Sequence, residues 1–261
     1  MGEDEGIRFE LLGPLRALSG GVEVPLGPPR QRTVLAVLLH QDGRSMSFGS
    51  LVDAVWGEAA APAHVRNLVQ KYVSGLRRAF AAVPGAPELT WTGSGYRLTG
   101  ARIADLAERR ALVDAALAAR EAGDRPRAGE LADRAERLWR GEYAEGLTGP
   151  YLEAERRRWA EKRLLLLEAR LESDIEGGRA YECVHELIRQ VAAHPLRERL
   201  VALLMLALYR TGRSCEALLA YEEARTRLAE AMGADPAPGL RELHQRMLRQ
   251  DPALLPDGAA A

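Results

Sequence analysis

The chain has 261 residues, 47% of them hydrophobic and 28% charged, and its formal net charge is −1. That length provides one large or two ordinary domains with a buried core. The balanced charge excludes a molecule that is basic or acidic throughout, so any polyanion-binding surface must be local.

In chain order, strands come first. Ile7 to Leu11 alternates apolar and polar side chains until Gly13-Pro14 breaks the pattern, and Leu15–Leu18 and Val22–Val24 follow with Gly20-Gly21 between them. These read as short antiparallel strands, ended by Pro28-Pro29. Helical spacing then takes over: Val34, Leu35, Leu38 and Leu39 form one face of a helix from about Arg30 to Gln41. Ser47 is placed to cap a second short helix with Phe48, Leu51, Val52, Val55 and Trp56 on its apolar side. A third helix, from about Pro62 to Ala82, has an apolar line through Val65, Leu68 or Val69, Tyr72 or Val73, Leu76 and Phe80. Leu89–Trp91, a turn at Gly93-Ser94-Gly95, and Tyr96–Leu98 read as a hairpin.

From about Ile103 the pattern is helical throughout, punctuated by glycines and prolines. Gly178-Arg179 and Gly212-Arg213 stand one tetratricopeptide period apart, and Gly123-Asp124 begins a similar run. Stacked helical hairpins are the economical reading. The expected fold is therefore mainly α, with an N-terminal α+β winged helix over residues 1–100 and an all-α, tetratricopeptide-like helical-hairpin domain over 101–261. The composition shift near Gly100 sets that boundary.

No catalytic constellation is visible. There is no phosphate-binding glycine loop, no His-Glu-x-x-His, and no His/Cys spacing that suits zinc, so no metal, cofactor or enzyme activity is expected. Cys183 and Cys215 are too few for a disulfide scaffold and fit a reducing cytoplasm. The longest apolar run, Leu200–Tyr209, is too short for a bilayer span, and the acidic N-terminus lacks the regions of a signal peptide. Trp56, Trp91, Trp139 and Trp159 read as core anchors, since each lies on an apolar face.

The third helix carries the functional signal. Between Ala59 and Pro87 there is no acidic residue, while Arg66, Lys71, Arg77 and Arg78 lie on the polar face beside Asn67, Gln70 and Ser74. Cations with no local counter-charge, mixed with side chains that hydrogen-bond base edges and phosphates, point to the DNA major groove. A helix-turn-helix before it and a glycine-rich hairpin after it give the order of a winged helix. In the hairpin, the Thr90 and Tyr96 hydroxyls are candidate phosphate donors, and Thr92 and Arg97 are candidates for the minor groove. A rival reading makes the hairpins an interaction scaffold and the winged helix a protein-binding module.

Several segments resemble a known family. Residues 29–39, 51–57, 76–79 and 95–98 are similar to an OmpR-type winged helix, and Ala61–Gln70 resembles the version found in the SARP family, the Streptomyces antibiotic regulatory proteins. In the second half, residues 138–141, 194–200, 204–213, 216–221 and 233–236 resemble its bacterial transcriptional activation domain. The resemblance implies an activator of a secondary-metabolite gene cluster. Such a protein would bind direct repeats in promoter DNA beside a second protomer, and recruit RNA polymerase through its sigma factor and the C-terminal domain of its alpha subunit. OmpR-type wings often carry Arg just before the first wing glycine; that position here is Thr92.

The expected interface therefore has Arg66, Asn67, Gln70, Lys71 and Ser74 in the major groove, with Arg77 and Arg78 on flanking phosphates. Arg30 and Arg32, at the start of the first helix, and Tyr96 would grip the backbone. The loop containing Gly57, Glu58, Ala59 and Ala60 is the expected polymerase contact. Arg156-Arg157-Arg158 is either a contact patch or a solvated helix face.

Overall fold

The strand signals of the first 30 residues resolve into one small sheet. In the computed structural model, which describes residues 6–57 and 60–255, β1 (Arg8–Glu10) pairs antiparallel with β2 (Arg16–Ser19), and β3 (Val22–Glu23) extends β2. The other edge of β1 takes the distant strand β7 (Arg102–Ile103), in parallel. Alternation places Phe9 and Ala17, directly opposite each other, in the core.

α1 (Pro29–Leu39) starts at the second proline, whose fixed φ suits a first helical turn. The expected one-sided helix is instead buried at every position from Thr33 to Leu39, because other elements cover it on several sides. β4 (Met46–Ser47) leads into α2 (Phe48–Trp56), which is capped as expected: the Ser47 hydroxyl accepts from the Ser50 N–H at 3.1 Å. α3 (Val65–Ala81) begins three residues after Pro62, and β5 (Glu88–Trp91) with β6 (Gly95–Thr99) forms the hairpin. β4 adds to this hairpin, giving the order β4-β6-β5.

α4 (Ala104–Glu121) and α5 (Arg125–Arg137) pack together around Leu112, Leu131 and Ala135. The chain after them returns to the first sheet. Arg140 and Ala144 donate backbone N–H groups to the Leu12 and Leu11 carbonyls at 2.8 and 2.9 Å. Asp105, 3% exposed, accepts from the Leu11 and Leu12 N–H groups at 2.8 and 2.7 Å, and Arg140 bridges Asp105 and Glu10. Tyr143, fully buried, donates its hydroxyl to His40 Nε2, while His40 Nδ1 donates to the Ala36 carbonyl at 2.6 Å. Burial holds the imidazole below its usual pKa, which fits this neutral tautomer.

The Arg156 guanidinium, from the arginine run, donates to the Tyr143, Ala144 and Leu147 carbonyls, so this side chain is a structural tie. Arg158 pairs with Glu155 at 3.3 Å.

The described chain falls into two compact units, 1–161 and 162–261, which divide within α6 (Pro150–Glu176). This division and the composition shift near Gly100 are different boundaries, since α4 and α5 share a unit with the winged helix. In the second unit, α7 (Ala180–Ala193), α8 (Glu198–Arg210), α9 (Ser214–Met232) and α10 (Pro238–Leu248) enclose a core that includes Leu187, Leu200, Met205 and Leu240. α8 is its centre, with eight buried positions. Among the described residues, no helix is long and apolar enough to cross a membrane.

The sequence echo has a geometric basis. Gly123, Gly178 and Gly212 all adopt left-handed φ of 79°, 86° and 79°. At each, the next residue donates its N–H at 2.9 Å to the carbonyl five positions back, a Schellman-type helix end.

The Asp105 clamp is the most testable element. Asp105→Ala leaves two buried N–H donors unsatisfied, and urea unfolding is expected to register a loss of at least about 2 kcal/mol, at ~1–3 kcal/mol per group. An unchanged midpoint would show the clamp to be dispensable. Burial raises the Asp105 carboxyl pKa more than the Leu12 and Leu11 N–H groups and Arg140 lower it. The folded protein thus holds this proton to higher pH than the unfolded chain. The group's contribution to stability falls as pH rises from the ordinary carboxylate value through the raised one, and Asp105→Asn should remove that slope.

Candidate nucleic-acid interface

α3 divides cleanly into two faces. Val69, Val73, Leu76 and Phe80 are buried at alternating steps of four and three. Phe80 meets Phe9 edge-to-face at 6.1 Å. A Cβ on Gly75 would lie 2.4 Å from Gln31 Oε1, so a side chain there would have to displace the Gln31 amide. Gln31 is itself fixed by its donation to the Leu26 carbonyl at 2.9 Å.

The opposite face brings together Arg66, Asn67, Gln70, Lys71, Ser74, Arg77 and Arg78, all exposed. Among the described residues, none of its four cations has a carboxylate within ion-pair distance. Two of them are nevertheless positioned. The Arg66 guanidinium lies over the Phe48 ring at 4.9 Å. Arg77 Nε donates to the Leu89 carbonyl at 2.8 Å, which ties α3 to the hairpin.

Within the hairpin, register sorts the candidates. Thr90 pairs with Arg97 on one face, and Arg97 is exposed there. Leu89 pairs with Leu98, and Trp91 with Tyr96, on the other. Tyr96 is 5% exposed and meets Trp91 edge-to-face at 5.0 Å. Burial pushes its phenol pKa up against the pull of Arg77 and Arg66, so the hydroxyl stays a donor at neutral pH.

Thr92, expected to reach outward, is turned back. Its hydroxyl is 2.7 Å from the Ser45 hydroxyl and 3.3 Å from the Gly95 carbonyl, and both contacts hold the turn. Gly95 also has an internal reason to lack a side chain, since a Cβ there would lie 1.9 Å from the Met46 carbonyl oxygen. Gly93, with φ of 90° and open space around it, remains a solvent-facing turn glycine.

Arg30 is tied to backbone carbonyls of its own unit. Its Nη1 donates to the Val55 carbonyl at 3.0 Å and the Thr148 carbonyl at 3.3 Å, which joins the end of α2 to the segment before α6. This internal tie occupies Nη1 and is a role the sequence reading did not assign to Arg30. Arg32 keeps a half-exposed guanidinium, with Nε donating to the Gly27 carbonyl at 2.8 Å. Gly57 closes α2 through its N–H to the Asp53 carbonyl at 2.9 Å, and Ala60 follows; Glu58 and Ala59 of the expected polymerase-contact loop lie outside the described residues.

The sequence reading missed a cleft of about 400 Å³ between α3 and the hairpin. Arg66, Gln70 and Arg77 form one wall, Trp91 and Tyr96 the other, and Phe48 and Val73 complete it. Trp91, expected in the core, is 45% exposed.

The placement of Arg30 has a direct consequence. Arg30→Ala should lower stability in urea by about 1.5–3 kcal/mol, the value of hydrogen bonds from a charged donor. It should leave the salt dependence of duplex binding unaltered. A flatter salt slope with unchanged stability would restore Arg30 to the interface.

Comparison with known proteins covers both regions. Residues 22–98 match the family model "Transcriptional regulatory protein, C terminal", and residues 104–248 match the bacterial transcriptional activator domain. The chain is similar to the regulatory protein AfsR of Streptomyces coelicolor, at 46% identity over 99% of this chain and 26% of AfsR. It is also similar to the regulatory protein DnrI of Streptomyces peucetius, at 31% identity over 95% of this chain and 94% of DnrI. Among solved structures, Mycobacterium tuberculosis EmbR in complex with a low-affinity phosphopeptide superimposes with a TM-score of 0.81 at 34% identity, covering 94% of this chain and 65% of that one. These matches run in the order strands, winged helix and helical hairpins, and the chain belongs to the SARP family of transcriptional regulators.

Proposed function

We propose that the chain is a cytoplasmic activator that binds double-stranded promoter DNA through residues 1–100 and acts on transcription through residues 101–261. The observation that carries this reading is the exposed α3 face, whose cations have no counter-charge among the described residues. Asn67, Gln70, Lys71 and Ser74 enter the major groove, Arg66 and Arg77 stand toward the hairpin, and Arg78 meets a flanking phosphate. Arg32, Thr90 and Arg97 supply further backbone or minor-groove contacts. Protomers side by side on direct repeats, about one helical turn apart, would each present the same face. The gene target would be a secondary-metabolite cluster. Recruitment would run through the sigma factor and alpha subunit of RNA polymerase, with the Gly57–Ala60 loop as one contact.

Gel shifts across salt and operator variants test the DNA contacts. Asn67→Ala is expected to cost about 1–3 kcal/mol and relax preference at one base pair. Arg78→Ala is expected to weaken every sequence alike and to flatten the salt slope by about one unit. No change in either variant would remove α3 from the DNA. For the polymerase contact, Glu58→Arg should bind promoter DNA normally and activate transcription poorly in a reconstituted assay; normal activation would move the contact elsewhere.

A further inference from the structure

The cations of the α3 face are not equally free. Among the described residues, Arg78 has no hydrogen-bond, ion-pair or ring partner. Arg66 is held, and by a ring instead of a carboxylate: its guanidinium lies 4.9 Å from the centroid of Phe48. That ring is itself fixed. Phe48 opens α2 directly after the Ser47 cap, and its N–H donates to the Ser94 carbonyl of the hairpin turn at 2.9 Å. The two residues before it, Met46 and Ser47, pair with Tyr96 and Gly95 of the hairpin. A line of contacts thus runs from the hairpin turn to the Phe48 backbone, through its ring, to a cation on α3.

What a held arginine does differs from what a mobile one does. A phosphate accepts a cation from many directions, so a freely moving side chain serves it. Guanine presents O6 and N7 in one plane, and a guanidinium bonds both only when its fork lies in that plane. An aromatic face beside the guanidinium removes in advance part of the rotamer freedom that binding would otherwise remove. Position favours a base as well. Arg66 is the second residue of α3, and the N-terminal residues of a recognition helix are those that approach base edges.

We propose that Phe48 is a positioning residue whose ring aims the Arg66 guanidinium at O6 and N7 of one guanine in the operator. This rests on the DNA-binding reading of α3 and deepens it by naming a base and the side chain that fixes its reader. The hairpin turn, through the Ser94 carbonyl and Phe48, thereby influences which base is preferred without touching that base.

The probe is a pool of duplexes of about three helical turns with a randomised centre, from which the full chain selects its preferred site. Replacing one guanine of that site by adenine should weaken binding about tenfold, and Arg66→Ala should bind the two duplexes alike. Phe48→Leu and Phe48→Met keep apolar bulk but lose the aromatic face, and each should cut the guanine preference about threefold. Phe48→Tyr should keep it, and neither aliphatic change should alter base preference in an Arg66→Ala background. The preference is a ratio of two affinities in one protein, so partial unfolding cancels from it. In the unaltered protein the Arg66 Nε–H proton should show an aromatic ring-current shift by NMR, assigned by loss of the signal in Arg66→Ala, and this stands even if the Phe48 variants fold poorly. Uniform weakening of all duplexes by Arg66→Ala overturns the proposal and leaves the α3 reading intact. So does selection of another base at the Arg66-dependent position, an undiminished preference in the aliphatic Phe48 variants, or absence of the ring-current shift. Absence of duplex binding overturns both readings.

Discussion

The packing of the apolar α3 stripe into the first core is the constraint on which the interface depends. Gln31 occupies the space a side chain at position 75 would need, and its amide is fixed by the Leu26 carbonyl. Beside that contact, the burial of Val69, Val73, Leu76 and Phe80 together sets the rotation of α3 about its own axis. Rotation by one residue would bury Gln70 or Ser74 and expose Val73, losing apolar burial while desolvating polar groups. The outward display of four cations follows from apolar packing on the other side of the helix.

Much of this is legible in the sequence alone. Residues with a strict period announced themselves: the α3 stripe, the Ser47 cap, the hairpin register around Gly93–Gly95, and the recurring glycines at helix ends. What sequence could not show was competition for side chains by distant backbone. Arg30 reads as a surface cation, but carbonyls at Val55 and Thr148 claim it. Thr92 reads as a wing tip, but Ser45 holds it. Trp91 lies on the face its alternation indicates, and only the third dimension shows that the core has ended there. A period reports direction, and burial depends on what else arrives.

Residues 101–161 show the same limit at a larger scale. Composition separates them from the winged helix, while hydrogen bonding joins them to it. Asp105 satisfies the N–H groups of Leu11 and Leu12, and Ala144 and Arg140 satisfy their carbonyls. Strand β1 lies inside its sheet, between β2 and β7, and the β7 side comes from residues Arg102 and Ile103, beyond the winged helix. Family models and compact units therefore divide the chain at different places for a physical reason: homology follows modules, and compactness follows closed hydrogen bonding.

The Asp105 contact spans more than ninety positions of sequence, which has a consequence for vectorial synthesis. As the chain leaves the ribosome, α1, α2 and α3 can form from local contacts. The backbone at Leu11 and Leu12 must wait, hydrated, until Asp105 and then the segment from Arg140 to Ala144 have emerged. High contact order of this kind slows the last step of folding, so the nascent regulator would acquire its helix-turn-helix early and its final rigidity late.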